Sequence, residues 1–133
     1  MQKIINEIKL DFDDVLIRPK RSNLSSRSEV SLVRDFKFIH SSRTLSAIPI
    51  IVANMDTTGT FAMANEVCSQ QALVALHKHY SSDKLISFYS SVQNNFNKDL
   101  CFYSIGTSSN DIDKLIHVFN TLKNQNIRLP NIC

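Results

Sequence analysis

The sequence predicts an α/β fold, specifically the N-terminal part of a (β/α)8 TIM barrel that is incomplete within these 133 residues. Short apolar runs alternate with amphipathic segments of helical spacing, which is the pattern of βαβ units and a parallel sheet. The last apolar run begins only at residue 129, so the sequence ends inside a predicted strand. A flavodoxin-like sheet could finish near this length, whereas a (β/α)8 barrel needs roughly 250 residues. Complete folds avoid an unpaired, apolar sheet edge, and the ending therefore favours an unfinished barrel.

Residues 1–46 are predicted to form an N-terminal arm, because their pattern is irregular. Partial alternation of apolar and polar residues over 30–38 indicates a half-exposed strand or ribbon within this arm. Residues 47–133 are predicted to hold the first three βα units and the start of the fourth strand. The whole chain is then the N-terminal part of a single barrel domain.

Four strands are expected in residues 47–133. The first, 48–53, is a nearly continuous run rich in β-branched residues, which predicts a strand buried on both faces. The others are expected at 73–76, at 100–105 and from 129 onward.

Three helices are expected between these strands. Thr60 lies just ahead of a segment whose apolar residues are Phe61, Ala64, Val67 and Cys68. Ser81, Ser82 and Asp83 offer N-cap chemistry to a second helix, whose apolar face is Leu85, Phe88, Tyr89, Val92 and Phe96. Asn110 and Asp111 are expected to cap a third helix, with Ile112, Leu115, Ile116, Phe119 and Leu122 on one face.

Composition excludes several classes of protein. Only two glycines occur, so no complete glycine-rich phosphate loop can be written. The three cysteines lie far apart and form no C-x-x-C, which argues against a disulfide framework and a zinc knuckle. No apolar run approaches the roughly 18 residues of a membrane span, and the net charge of +3 is spread out. We therefore expect a cytoplasmic protein with no nucleic-acid and no membrane partner.

A polar cluster follows each of the first three predicted strands, at 54–60, 77–80 and 106–109. In a barrel these are the loops that build the active site. Lys78 is the leading candidate, because an ammonium at a strand end can neutralise a phosphate or stabilise a developing anion. Each cluster also has a plainer explanation: 57–60 could cap the next helix, Gly106 could allow a turn, and Lys78 could be solvated.

No metal site is expected. His77 and His79 are two residues apart, so on a strand their side chains point to opposite faces. Cys68, Cys101 and Cys133 fall in a predicted helix, a predicted strand and the last position. Buried, unreactive thiols are the usual finding for such cysteines.

Four segments together resemble the GMP reductases, which form one superfamily with the IMP dehydrogenases. They are 10–22, the pair Ser26 and Arg27, 49–57, and 77–80. Asn54 before Met55 is similar to the reductase version of that segment. Only about two dozen residues separate Tyr80 from Gly106, which leaves no room for the regulatory domain pair that the dehydrogenases usually insert there.

The resemblance implies a homotetrameric enzyme that reduces GMP to IMP with NADPH and releases ammonia, with GMP and IMP as its ligands. It implies a cysteine nucleophile that attacks the purine, and none of the three cysteines matches that position. It also implies a monovalent cation such as K+ in the full-length enzyme, at a site outside this chain. The 133-residue chain alone is then expected to be inactive.

The resemblance assigns roles to five residues. Ser26 and Arg27 match positions that bind the NADP of a neighbouring subunit, and Lys78 matches a lysine near the cofactor and the reacting centre. Thr107 matches a threonine of the catalytic network, and Met55 a methionine that packs near the purine. Two alternatives stay open: a non-catalytic truncated module for nucleotide binding or subunit assembly, and a fragment of an IMP dehydrogenase.

Overall fold

The computed structural model describes residues 6–91 and 98–133. The chain divides into two compact units, with the boundary between Ser31 and Leu32. In the first unit, two short 3-10 helices are described, Phe12–Asp14 and Arg27–Glu29. Asp11 begins the first of them with a capping box, in which its side chain and that of Asp14 each accept a backbone N–H.

The second unit opens with an antiparallel hairpin of β1 (Arg34–Lys37) and β2 (Thr44–Ala47). Leu45 and Ala47 are buried while the alternating residues of β2 are exposed, as the two-residue period of a strand requires. The expected ribbon at 30–38 is therefore present over a shorter range. Its partner strand was wrongly assigned to irregular chain, because β2 is short and contributes only one large apolar side chain.

A four-stranded parallel sheet follows, and it confirms the predicted α/β fold. Its strands are β3 (Ile51–Val52), β4 (Leu73–Leu76), β5 (Cys101–Tyr103) and β6 (Asn131–Ile132), in that spatial order. The register pairs Ile51 with Leu73, Val74 with Cys101 and Phe102 with Asn131. The connecting helices are α1 (Phe61–Ser69), α2 (Ser82–Ser90) and α3 (Ser109–Asn124). This is the arrangement of the opening units of a (β/α)8 barrel.

The core lies between this sheet and its helices. All four residues of β4 are buried. The largest fully buried side chains include Tyr89 of α2, Tyr103 of β5 and Leu122 of α3. Burial of these apolar surfaces is the main force that holds the strand ends, and hence the loops after them, in fixed positions.

The structure differs from two expectations about individual elements, and a third falls partly outside the described residues. The first strand is an edge strand of only two residues, and Ile51 is 60% exposed, so the expected burial on both faces is wrong. The N-cap of α3 is Ser108 rather than Asn110 or Asp111. Val92 and Phe96, expected to extend the second helix, lie outside the described residues, and α2 ends at Ser90. Within the described ranges, no helix is long and apolar enough to cross a bilayer.

Candidate active site

The carboxyl ends of the parallel strands meet at one edge of the sheet, where the three polar loops lie. In the first loop, the Met55 carbonyl accepts the N–H groups of Thr58 (3.0 Å) and Gly59 (2.7 Å), which closes a tight turn. Gly59 is required for space: a Cβ there would lie well inside contact distance of the Ala75 carbonyl oxygen. Met55 itself is 59% exposed.

The side chain of Thr60 accepts the N–H of Met63 at 3.2 Å and so caps α1. The plainer explanation of the 57–60 cluster therefore holds for Thr60. The Thr58 hydroxyl donates to the Ala53 carbonyl at 3.0 Å, across the same turn. These two threonines serve the local backbone.

The loop after β4 is fixed by a column of stacked rings. His77 stacks on Tyr80 at 4.0 Å between centroids, Tyr80 on Phe61 at 3.7 Å, and Phe61 on Phe88 at 4.2 Å. The Tyr80 hydroxyl also accepts the backbone N–H of Phe61 at 3.1 Å. Because the rings anchor both ends of this loop, Lys78 between them is presented to solvent on a rigid support.

His77 is held as a neutral ring. It is 8% exposed, and its Nδ1 accepts the backbone N–H of His79 at 3.2 Å. Burial lowers the pKa of His77, and the neighbouring His79 lowers it further.

Strand β4 ends at Leu76, so the expectation that His77 and His79 point to opposite faces of a strand is wrong, and their rings are 5.8 Å apart. The described residues contain no cluster of three or more His, Cys, Asp or Glu side chains that could hold a metal ion.

Lys78 lies beside the loop that follows β5. Its Nζ is 4.0 Å from Oδ2 of Asp111, and half of its side chain is exposed. The same Nζ is 3.3 Å from the point that a Cβ on Gly106 would occupy. Thr107, the next residue, is exposed. The structure thus brings Lys78 to the loop that carries Thr107.

Two of the three cysteines lie inside the fold, away from this loop edge. Cys68 and Cys101 are buried. The hydrogen bond to Cys68, together with burial, raises the pKa of the Cys101 thiol. Cys133 is exposed, against the expectation of burial, and its Sγ lies 3.1 Å from the Ser104 hydroxyl.

Comparison with known proteins shows the family of the chain. A family model described as IMP dehydrogenase / GMP reductase domain matches residues 9–129. The chain belongs to this family. GMP reductase 2 of Bos taurus is 48% identical over 122 residues, which are 92% of this chain and 34% of the bovine protein. GMP reductase of Enterobacter sp. (strain 638) is 51% identical over 112 residues, covering 84% of this chain and 32% of that protein.

Among solved structures, inosine 5'-monophosphate dehydrogenase from Legionella pneumophila matches with a TM-score of 0.60 at 28% identity. The match covers 82% of this chain and 31% of that one. The chain therefore spans about a third of the length of the curated relatives and of this structural neighbour.

The IMP dehydrogenase / GMP reductase resemblance also points to Ser26 and Arg27, which lie in the first unit. Ser26 caps the 3-10 helix Arg27–Glu29, its hydroxyl accepting the N–H of Ser28 at 3.3 Å. Both residues are exposed, and Arg27 forms no ion pair within 6–91 and 98–133.

Two residues of the loop edge were missed from the sequence. Asp111 was predicted only as a cap of α3, and no role was predicted for Lys114. Lys114 Nζ donates to the Lys78 carbonyl at 2.8 Å and lies 5.8 Å above the Tyr103 ring. The sequence feature that could have indicated them is their spacing. They lie three residues apart in the first turns of the helix after β5, which puts both side chains on one face.

Proposed function

We propose that the protein of which this chain forms a part is an NADPH-dependent GMP reductase that converts GMP to IMP and releases ammonia. The observation that carries the proposal is the identity of 44–51% to curated proteins named GMP reductase, over 84–98% of this chain. In this reading, residues 1–46 are the arm and 47–133 the opening units of the catalytic barrel.

The residues present fit a negatively charged dinucleotide. The Lys78 ammonium is half-exposed at the loop edge, and the exposed Arg27 guanidinium has no ion-pair partner among the described residues. Arginine and lysine are the side chains that bind phosphate oxygens. When bound, NADPH supplies the hydride that the reduction requires.

Each proposed residue has a distinct task. Lys78 offsets negative charge at the reacting centre, and Thr107 serves the same network. Ser26 and Arg27 bind the cofactor of a neighbouring subunit, and Met55 packs against the purine. The proposal includes a cytoplasmic homotetramer, with a monovalent cation bound outside this third of the protein.

A chimera tests the proposal. The matching third of bovine GMP reductase 2 is replaced by this chain, and GMP-dependent NADPH oxidation and ammonia release are measured. We expect turnover, and we expect Lys78→Met to lower kcat/KM by about 100-fold, as loss of one electrostatic contact at a reacting centre does. Lys84→Met, which removes an exposed lysine of α2, is the matched control and is expected to keep full activity.

A folded chimera that leaves GMP unchanged would overturn the proposal. The dehydrogenase alternative rests on the structural neighbour, and it predicts oxidation of IMP with NAD+ by the same chimera.

A further inference from the structure

Helix α3 contacts Lys78 at both its side chain and its backbone. Asp111 Oδ2 lies 4.0 Å from the ammonium, and Lys114 Nζ donates to the Lys78 carbonyl at 2.8 Å. Both side chains come from the first two turns of α3. Lys78 is therefore fixed relative to one rigid element rather than by its own loop alone.

The Asp111 carboxylate is itself held in place. The Ser108 hydroxyl donates to Asp111 Oδ2 at 2.7 Å and accepts the Asp111 N–H at 3.2 Å. The Asp111 side chain is only 22% exposed. A single N-cap serine thus orients both the backbone and the carboxylate of Asp111.

Gly106 provides the space for this arrangement. A Cβ there would overlap the Asp111 carboxylate and lie 3.3 Å from Lys78 Nζ. Its φ is not in the left-handed region. A side chain at this position would therefore displace the Asp111 carboxylate from its place beside Lys78, whereas the backbone conformation of residue 106 does not itself demand glycine.

We propose that Asp111 is a positioning residue, which holds the Lys78 ammonium over Gly106 at the loop edge while Lys114 holds the Lys78 backbone. Asp111 acts through Lys78 and has no contact of its own with substrate in this scheme. The effect of Asp111 on turnover rests on the proposed function. The claim that Asp111 holds Lys78 in place rests on the contacts alone.

The variant Asp111→Asn tests the role of the negative charge of Asp111. The amide keeps the shape of the side chain and can still accept from Ser108, so the cap and the fold are retained, whereas attraction to Lys78 is lost. Asp113→Asn, an exposed carboxylate of the same helix, is the matched control. Gly106→Ala should act in the same direction as Asp111→Asn, because it displaces the carboxylate.

The first readout uses the 133-residue chain and needs no activity. Trace labelling with acetic anhydride, quantified by mass spectrometry against Lys84 in the same molecule, reports how firmly the Lys78 amine is held. We expect Asp111→Asn to raise labelling of Lys78 by about two- to fivefold, which corresponds to a partly exposed ion pair. Equal labelling in Asp111→Asn and Asp113→Asn would overturn the proposal.

The second readout uses the chimera with bovine GMP reductase 2. Asp111→Asn should lower kcat and leave the KM for GMP unchanged. It should add nothing in a Lys78→Met background, because a residue that acts through Lys78 has no effect once Lys78 is gone. The positioning role is overturned if Asp111→Asn turns over at the wild-type rate. It is also overturned if Asp111→Asn lowers kcat as much in the Lys78→Met background as it does alone. In both cases the reductase function stands. If the unmodified chimera is inactive, the proposed function fails, and labelling alone decides whether Asp111 holds Lys78.

Discussion

His77 should show how the support of Lys78 responds to pH. Its ring is buried and neutral, with the proton on Nε2, because Nδ1 accepts the His79 N–H. Burial lowers its pKa in the folded chain below the ordinary 6.5. The unfolded chain therefore takes up the proton first as the pH falls. The stability that the neutral His77 contributes is complete above pH 6.5 and is lost as the pH falls below it.

A titration followed by NMR of the imidazole ring signals measures this directly. We expect a midpoint for His77 below 6.5, together with loosening of the ring column as the proton is taken up. His77→Gln should remove this part of the acid-dependent loss of stability, while His79→Gln should retain most of it, because burial is the larger cause of the lowered pKa of His77. A His77 midpoint at or above 6.5 would contradict the burial argument.

The sequence predicts isolated residues at this edge better than it predicts their contacts. Lys78 was identifiable because it is an ammonium in the polar cluster that follows an apolar run. Asp111 and Lys114 were not identifiable as its partners, because their approach depends on how α3 packs beside β4 and β5, which no local pattern encodes. The closeness of the Asp111 and Lys78 side chains to Gly106 was likewise not predictable, since contacts between side chains of different elements leave no mark in the sequence.

At the scale of elements, a charged cluster joins the hairpin to the parallel sheet at the opposite edge. Asp99, just before β5, pairs with Arg128 at 2.8 Å and with Arg43 at 3.5 Å. Asn131 of β6 donates to the Asp99 carbonyl at 2.7 Å and accepts from Arg43 at 2.6 Å. Arg43 directly precedes β2, so the cluster ties three strand ends together.

Asp99→Asn should loosen the hairpin locally. The two arginines are more than half exposed, which limits the ion pairs to about 1 kcal/mol. We therefore expect amide hydrogen exchange in β1 and β2 to rise up to about fivefold, with little change in β4. Asp113→Asn is the control, and unchanged exchange in the hairpin of Asp99→Asn would show that the cluster does not hold it.

The bounds of a strand were predicted more accurately where the strand is more deeply buried. Strand β4, buried along its whole length, was placed at its observed bounds from its apolar run. Strand β3 was predicted too long and too buried, because the run 48–53 has the composition of a central strand although β3 lies at the edge of the described sheet. Composition reports what a strand can bury, and the neighbouring strands decide what it does bury.

At the scale of the whole molecule, the parallel sheet and the hairpin enclose an open apolar cavity of about 450 Å³. Its lining is almost entirely apolar: Phe36, Phe38, Leu45, Pro49, Ile51, Leu73, Ala75, Phe102, Ile132 and Cys133. Ile51 on this face is 60% exposed, and a contiguous apolar surface of this kind promotes association.

The 133-residue chain studied by itself should therefore bind a hydrophobic dye and self-associate as its concentration rises. Ile51→Lys places a charge in the cavity wall and should reduce both effects. Ile116→Lys is the matched control: Ile116 is 52% exposed on α3 but does not line the cavity, so its replacement should change neither. Dye fluorescence and sedimentation velocity measure the two effects. If the unmodified chain is a monomer that binds no dye, this apolar face is not open in solution, and the prediction is wrong.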